Sequence, residues 1–251
     1  MAGAEYSKFK DLTFDDFRTM AKDATLSRNE KIGFPDSYRD GYDDAILDNI
    51  VRLLPAIAGK GKTILDIGCG CSKLAERIIE LGEKHKHTLL MADSEEMLDL
   101  LPKSKAIRRM PGLFPDNLSI FEPYRSKIDT IIVYSVAQHI IINNSLYHFL
   151  DTALDLLIPG GALLLGDIPN ISKRDRFFSS DQGVAFHEEF TGTKTKPDIN
   201  LLSLKHHKID DGIIFGILQR YRNFGFETYL LPQPASLPMH NRREDILIVK
   251  W

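Results

Sequence analysis

The chain has 251 residues, 43% of them hydrophobic and 27% charged, with a formal net charge of −3. That composition is ordinary for a globular protein and excludes the disordered, collagenous and disulfide-rich classes. Without a global basic field, attraction to nucleic acid or to an anionic membrane is not expected, and any anion-binding surface has to be local.

The first twenty residues, MAGAEYSKFKDLTFDDFRTM, are broken by charges and lack the apolar core of a secretory signal. Apolar runs such as IIVYSVA and ALLLG are too short to span a bilayer. The only cysteines, Cys69 and Cys71, fit neither a disulfide framework nor a redox or metal pattern, so a reduced, cytoplasmic protein is expected. Residues 1–60 read as helical pieces. Leu12, Phe14, Phe17 and Met20 have helical spacing behind a Thr13 cap, and Tyr42, Ile46, Ile50, Leu53 and Leu54 share a second helical face. Between them Gly33, Pro35 and Gly41 mark a loop.

From Lys62 strands and helices alternate. KTILDIG reads as a strand, SKLAERIIELGEKH as a helix ended by Gly82, and HTLLMAD as a second strand. The next helix opens SEEMLDLL, with Ser94 as N-cap and Glu95 and Glu96 at its positive end. KAIRRMPG, IDTIIVYSVA and ALLLGDIPN supply three more strands, with a capped helix and a Pro-Gly-Gly turn before the last of them. Nearly continuous apolar strands separated by helices point to a parallel sheet covered on both faces. Residues 171–209 break this rhythm with seven Lys/Arg against five Asp/Glu. A helix and two strands follow, ending in EDILIVKW, and no internal repeat is present.

The chemistry concentrates at LDIGCG. A strand, a glycine turn and a helix usually hold a nucleotide-like ligand at the carboxyl end of a sheet. A dinucleotide fingerprint needs a third small residue, where this chain has Lys73, and Asp66 would repel a pyrophosphate. The carboxylate suits a ligand presenting donors or positive charge, such as an ammonium or a sulfonium.

LDIGCG resembles the D/E-x-G-x-G motif of the class I S-adenosylmethionine-dependent methyltransferases, of the small-molecule type. LLMADSEEML resembles their second motif, an acidic residue closing strand two, and IPGGALLLGD their turn before strand five. The resemblance covers residues 60–170 and, by layout, 210–251. It implies an α/β, Rossmann-like three-layer fold with a mostly parallel seven-stranded sheet and an antiparallel last strand. A helical segment at 1–60 would cover the cofactor site, 61–170 and 210–251 would form the core, and 171–209 would be a substrate lid. The implied cofactor is S-adenosyl-L-methionine. Asp66, Gly68 and Gly70 would form the pocket for its amino-acid part and ribose, and Asp93 would bond the ribose hydroxyls beside Ser94 and Met97. Many members carry an acidic or amide residue after strand three to read the adenine. Here that region is RRMPGLFPDNL, leaving Pro111, Gly112, Leu113 and Asp116 to do so by backbone or packing, with Tyr134 and Ser135 lining the adenine pocket. Arg39 suits the methionyl carboxylate, since a guanidinium forks onto it, or else a surface salt bridge to Asp36 or Asp40. Its loop also resembles methyltransferases of bacterial capsule and O-antigen gene clusters.

In small-molecule members a V-L-H-H stretch follows strand four, and His139 aligns with one of its histidines. His139 is either a general base or a structural histidine. Asp167, after strand five, would orient that histidine, touch substrate, or cap the following turn. The lid carries Lys173, Arg174, Arg176, His187, Lys205, His206 and His207, and Arg242 and Arg243 precede the last strand. These either gather around an anionic acceptor or solvate an exposed lid. His187, His206 and His207 lack a further ligand at metal spacing, so no metal is expected. The expected reaction is O-methylation of a small anionic metabolite or bacterial surface-glycan precursor. N-methylation and a catalytically silent cofactor-binding module are the alternatives. A nucleic-acid methyltransferase is disfavoured by the acidic charge and by YSVAQ standing where such enzymes carry a D/N-P-P-Y tetrapeptide.

Overall fold

The computed structural model describes residues 7–9, 11–143, 145–199 and 208–251. The apolar runs become β1 (Thr63–Ile67), β2 (Thr88–Asp93), β3 (Ile107–Pro111), β4 (Ile128–Tyr134), β5 (Leu157–Pro169), β6 (Glu227–Pro232) and β7 (Arg243–Val249). They form one sheet in the order β3-β2-β1-β4-β5-β7-β6. Strands β3 through β5 are parallel, and β7 runs antiparallel to both β5 and β6. This is the expected Rossmann-like sheet with an antiparallel last strand.

Ahead of the sheet lie α1 (Phe14–Lys22), the single turns α2 (Arg28–Lys31) and α3 (Asp36–Arg39), and α4 (Asp43–Leu53). Between the strands come α5 (Lys73–His85), α6 (Glu95–Leu98), α7 (Ala137–Asn143) and α8 (Leu146–Asp155). The lid stretch forms α9 (Ile171–Phe178) and α10 (Asp181–Thr191), and α11 (Asp211–Asn223) precedes β6.

The period of two along each strand sorts side chains to opposite faces. Ile64, Leu89, Met91, Ile132 and Leu164 pack under α4 and α5 with Ile46, Ile50, Ile78 and Ile79. Leu65, Leu90, Ile131, Val133, Leu163 and Leu165 pack on the other face with Phe149 and Leu150 of α8 and Ile214 and Ile217 of α11. Two cores on one sheet make the three layers; β1, β2, β4 and the second half of β5 are buried on both faces, whereas the edge strand β3 exposes Arg108, Arg109 and Pro111.

Four local expectations are corrected. Helix α5 runs through Gly82 to His85. A Cβ on Gly82 would stand 2.5 Å from Leu89 Cδ1, so this glycine lets the helix approach β2 rather than stopping it. The loop read at 27–41 contains α2 and α3; Ser27 and Glu30 form a reciprocal capping box that nucleates the first. Its neighbour Lys31 is buried because its ammonium donates to the carbonyls of Ala21 (2.7 Å) and Asp23 (2.6 Å), closing the end of α1. The fourth strand ends at Tyr134, and α7, unforeseen, begins at Ala137. Finally, IPGG lies inside β5, with a register shift where it passes Ile128 and Thr130 of β4.

Candidate active site

Strand β1 feeds the glycine turn with Gly68 at φ +72° and Gly70 at φ +61°, a conformation L side chains rarely adopt. Added Cβ atoms would lie 2.6 Å from Val136 at the first position and 2.6 Å from Ile32 at the second. Beside the turn, at the end of β2, Asp93 accepts the Gly70 N–H at 2.9 Å on Oδ2 and the Ser94 N–H at 2.7 Å on Oδ1. Each carboxylate oxygen keeps a second lone pair for a ligand hydroxyl. Burial pushes the Asp93 carboxyl up to about 6 despite those two hydrogen bonds. Burial, with the neighbouring Asp93 charge, pushes Asp66 up to about 7. Two buried carboxyls with no cation beside them among the described residues, both pushed up by burial, favour a positively charged ligand.

A cavity opens over this turn. Gly68, Gly70, Asp93, Met97, Gly112, Leu113, Tyr134, Ser135 and Arg39 all line it, as does His139. Asp66 and Ser94 do not. Asp66 lies buried at the end of β1, and Ser94 is the buried N-cap of α6, accepting the Met97 N–H at 3.2 Å. The N-terminal segment, expected to cover the site, lines the cavity through Phe14, Phe17, Ile32 and Phe34, residues that the sequence does not single out for that role. The three phenylalanines share one signal, an excess of aromatics across the first forty residues, and Ile32 has none. Asp116, weighed for the adenine, is exposed and does not line the cavity.

Asp167 occupies a β-bulge, where β5 gains a residue against β7 between Leu165 and Ile168. Its φ is +56°, and its N–H donates to Asp245 Oδ1 at 2.8 Å. Bulges re-aim side chains beside functional sites, and this one gathers a buried charge cluster. Asp167 Oδ2 accepts from Arg39 at 3.2 Å, from Arg243 at 3.3 Å and from the Ser135 hydroxyl at 2.5 Å. Asp245, pushed up by burial, accepts from Asn49 at 3.0 Å and from Gln233 at 3.0 Å. Arg39 is therefore buried, bonded also to Ser135 Oγ, and stacked 4.2 Å over the Phe34 ring, rather than paired with Asp36 or Asp40 on the surface. Its Nε is buried and has no hydrogen-bond partner among the described residues.

His139 sits one turn into α7 with its Nδ1 3.3 Å from the Leu12 carbonyl and its Nε2 3.2 Å from the Gln138 amide nitrogen. The carbonyl needs a donor and the amide N–H an acceptor, which fixes the proton on Nδ1 and the lone pair on Nε2. The same amide nitrogen donates to the Ser135 carbonyl at 2.7 Å, which sets the amide's orientation. Burial, under the Phe17 ring at 4.8 Å, pushes the imidazole down to about 4.

A second cavity, of about 500 Å³, lies under the lid. Two pairs of chain neighbours divide between the cavities: Arg39 and His139 face the first, Tyr38 and Gln138 the second. Of the described lid cations, Arg174, His187 and Lys208 line it, joined by Arg242 and Arg243. Lys173 instead donates to the Arg243 carbonyl at 2.7 Å, and Arg176 is ion-paired to Asp211 on the surface. Those two are structural cations. His206, with Lys205 and His207, lies outside the described residues. Among the described residues no group of three or more His, Cys, Asp or Glu is placed to hold a metal ion, and no helix is long and apolar enough to cross a membrane.

No protein-family model matches the chain, and no curated protein matches it by sequence. Solved structures do. The plantazolicin methyltransferase BamL, bound to a triazolic desmethyl-plantazolicin analogue and S-adenosylhomocysteine, superposes with a TM-score of 0.58 at 10% identity, over 99% of this chain and 98% of that one. The plantazolicin methyltransferase BpumL, with the same two kinds of ligand, gives 0.57 at 13% identity over 97% and 98%. A candidate O-methyltransferase of Nostoc punctiforme gives 0.51 at 14% identity; the match covers 94% of this chain but only 60% of that longer protein. At such identities the likeness is one of fold: the chain has the class I methyltransferase fold.

Proposed function

We propose that the protein transfers a methyl group from S-adenosyl-L-methionine to an oxygen of a small anionic acceptor. The observation that carries this is the pair of cavities that meet at two pairs of chain neighbours, one over a glycine turn with Asp93 in its wall and Asp66 beneath, the other lined by arginines. The neighbours of known complex, BamL and BpumL, hold S-adenosylhomocysteine, which is in keeping with the first.

The residues fit that cofactor. Asp93 offers a free lone pair on each oxygen to the ribose hydroxyls, and Asp66 adds the negative charge that an ammonium and a sulfonium favour. Arg39, which lines the cavity and has a partnerless Nε among the described residues, would take the methionyl carboxylate; Met97, Leu113 and Tyr134 give apolar surface for the purine. When bound, the cofactor supplies an activated methyl carbon, so the protein's task is alignment and exclusion of water. Phe14, Phe17 and Phe34 exclude water from above.

On the acceptor side, Gln138 Oε1 is buried without a partner among the described residues and suits an acceptor hydroxyl. His139 then serves as base. Its burial keeps Nε2 unprotonated above a pH of about 4, so the lone pair is always present, though less basic than a free imidazole. The Gln138 amide that now donates to Nε2 gives way to the hydroxyl. Asp167 acts by holding Arg39 and Arg243 in place. The surface-glycan precursor remains part of this reading as one kind of anionic acceptor, and a cytoplasmic site of action goes with it.

The test is a ligand-linked melting shift followed by turnover. S-adenosylhomocysteine should raise the melting temperature and NAD should not. Asp93→Ala should remove that shift, and candidate acceptors should yield S-adenosylhomocysteine only when anionic. Equal stabilisation by NAD overturns the cofactor assignment. Binding without turnover on any acceptor favours the silent module, and turnover on amines alone favours N-methylation.

A further inference from the structure

We propose that the acceptor carries a planar ring beside its oxyanion, and that the lid cavity is built to stack that ring; this rests on the methyl-transfer reading above. The cavity, at about 500 Å³, is of the size that takes a whole small molecule. Its lid wall is aromatic. Phe178 comes from α9, Phe186 and Phe190 from successive turns of α10, and Tyr38 from α3.

The rings are arranged as a surface. Phe186 and Phe190 are parallel to within 7°, with centroids 6.1 Å apart, and Tyr38 stands 6.0 Å from Phe190. Phe190 is nevertheless 49% exposed. A large ring left in water at the mouth of a cavity gains most by covering a flat apolar face.

Cations line the cavity and their carboxylate partners stand behind them: Asp175 pairs with Arg174 at 2.7 Å, Asp167 with Arg243 at 3.3 Å and Asp11 with Lys208 at 3.1 Å. Arg174, Arg242, Arg243 and Lys208 line the cavity, and no Asp or Glu does so among the described residues. The Phe178 ring holds two of these guanidiniums, Arg174 at 5.3 Å and Arg242 at 5.9 Å from its centroid, fixing cations next to the aromatic wall. A sugar phosphate without a ring system would present many hydroxyls and need many polar partners. Among the described residues the wall supplies Tyr38, Gln138, Asn170 and Thr191 besides its cations and His187. A ring joined to an oxyanion uses both halves of the lining. Two sources share that chemistry, a nucleoside phosphate and an aryl carboxylate.

Calorimetric titration of the full chain, saturated with S-adenosylhomocysteine, tests this. The probes are uridine diphosphate and 4-hydroxybenzoate. Their ringless counterparts are pyrophosphate and acetate, and their uncharged counterparts uridine and 4-hydroxybenzamide. At least one ring-bearing anion should bind about tenfold or more tightly than both of its counterparts, the scale of one stacked ring. Phe190→Ala should reduce that probe toward its ringless counterpart, and Arg242→Gln toward the uncharged one. A preference for uridine diphosphate identifies a nucleotide-linked acceptor, and a preference for 4-hydroxybenzoate an aryl acid. Ringless anions binding equally well, or neither ring-bearing probe binding, overturns the proposal. Failure of S-adenosylhomocysteine itself to bind overturns the methyl-transfer reading instead, and repeating the six titrations without it still reads the ring preference.

Discussion

Asp167 and Arg39 meet at 3.2 Å with side chains only 2% and 5% exposed, tying the bulge of β5 to a segment that precedes the whole sheet. Arg243 closes on the same carboxylate oxygen at 3.3 Å, and Asp245 holds the Asp167 N–H from behind. Two arginines thus share one buried aspartate, with Asp245 behind it. One member of this cluster, Arg39, also lines the glycine-turn cavity, and another, Arg243, lines the lid cavity.

That cluster predicts energetic coupling. Removing one partner of a buried pair leaves the other uncompensated, at a cost of about 3–5 kcal/mol, softened here because Arg243 remains. Arg39→Met and Asp167→Asn should each lower stability in urea unfolding, and the double variant should lose less than their sum by about 0.5–3 kcal/mol. Strict additivity would mean that the two side chains do not act on each other. The cofactor role has its own measurement. Arg39→Lys should weaken S-adenosylmethionine binding without weakening methylthioadenosine, which has no methionyl carboxylate, whereas an equal loss on both would make Arg39 purely structural.

The two carboxylates at the turn predict a pH dependence of binding. Asp66 at about 7 and Asp93 at about 6 lie above the ordinary aspartate value of 3.8. Their protonated forms favour the folded ligand-free protein at low pH, and that contribution is lost as pH rises through 6 to 7. A cationic cofactor favours the ionised forms, so its affinity should strengthen over that window and its binding should release protons. Calorimetry in buffers of different ionisation enthalpy reads the release directly. Asp66→Asn should flatten the profile; affinity that weakens with rising pH would contradict the assignment.

How far the sequence discloses this site depends on the range of the interactions. The turn is legible because Asp66, Gly68 and Gly70 lie within five residues, and Asp93 because it closes the next strand. The sheet is legible because doubly buried strands must be continuously apolar. Arg39 with Asp167 is not, since 128 residues separate them and nothing local distinguishes that pair from Arg39 with Asp36. Gly82 misleads for a related reason. A glycine that ends a helix and one that lets a strand pass at van der Waals contact look alike until the strand is in place. Gln138 went unremarked because an amide acquires meaning only from what surrounds it.

His139 tests the site on its acidic side. Its folded value, about 4, lies below the ordinary 6.5, so the neutral ring adds stability above pH 6.5 that is lost as pH falls through about 4. Proton NMR should show the His139 ring titrating below pH 5, and the turnover rate should show no limb between pH 6 and 7 belonging to this residue. Phe17→Ala should admit water and move the midpoint upward. His139→Gln should slow turnover by roughly 10²–10⁴-fold while cofactor binding persists. A change within a few-fold would leave it a structural histidine.

The lid cations give the sharpest division between binding and structure. Arg176 has a side chain 59% exposed and is paired with Asp211, outside the cavity. Arg174 lines the cavity, with Nη1 held by Asp175 at 2.7 Å and its guanidinium over Phe178. Similar charge and a separation of two residues make them indistinguishable in sequence, yet their consequences should differ. Arg174→Gln should raise the Michaelis constant for the anionic acceptor several-fold and leave cofactor affinity unchanged, because the glycine-turn cavity has no contact with α9. Arg176→Gln should leave both constants where they were and cost at most about 1 kcal/mol, the scale of an exposed ion pair. Added salt should weaken acceptor binding in the parent and in Arg176→Gln alike, and less steeply in Arg174→Gln, where one of the attracting charges is gone. Equal effects from the two substitutions would mean that the lid acts through its overall charge and not through the cavity it covers.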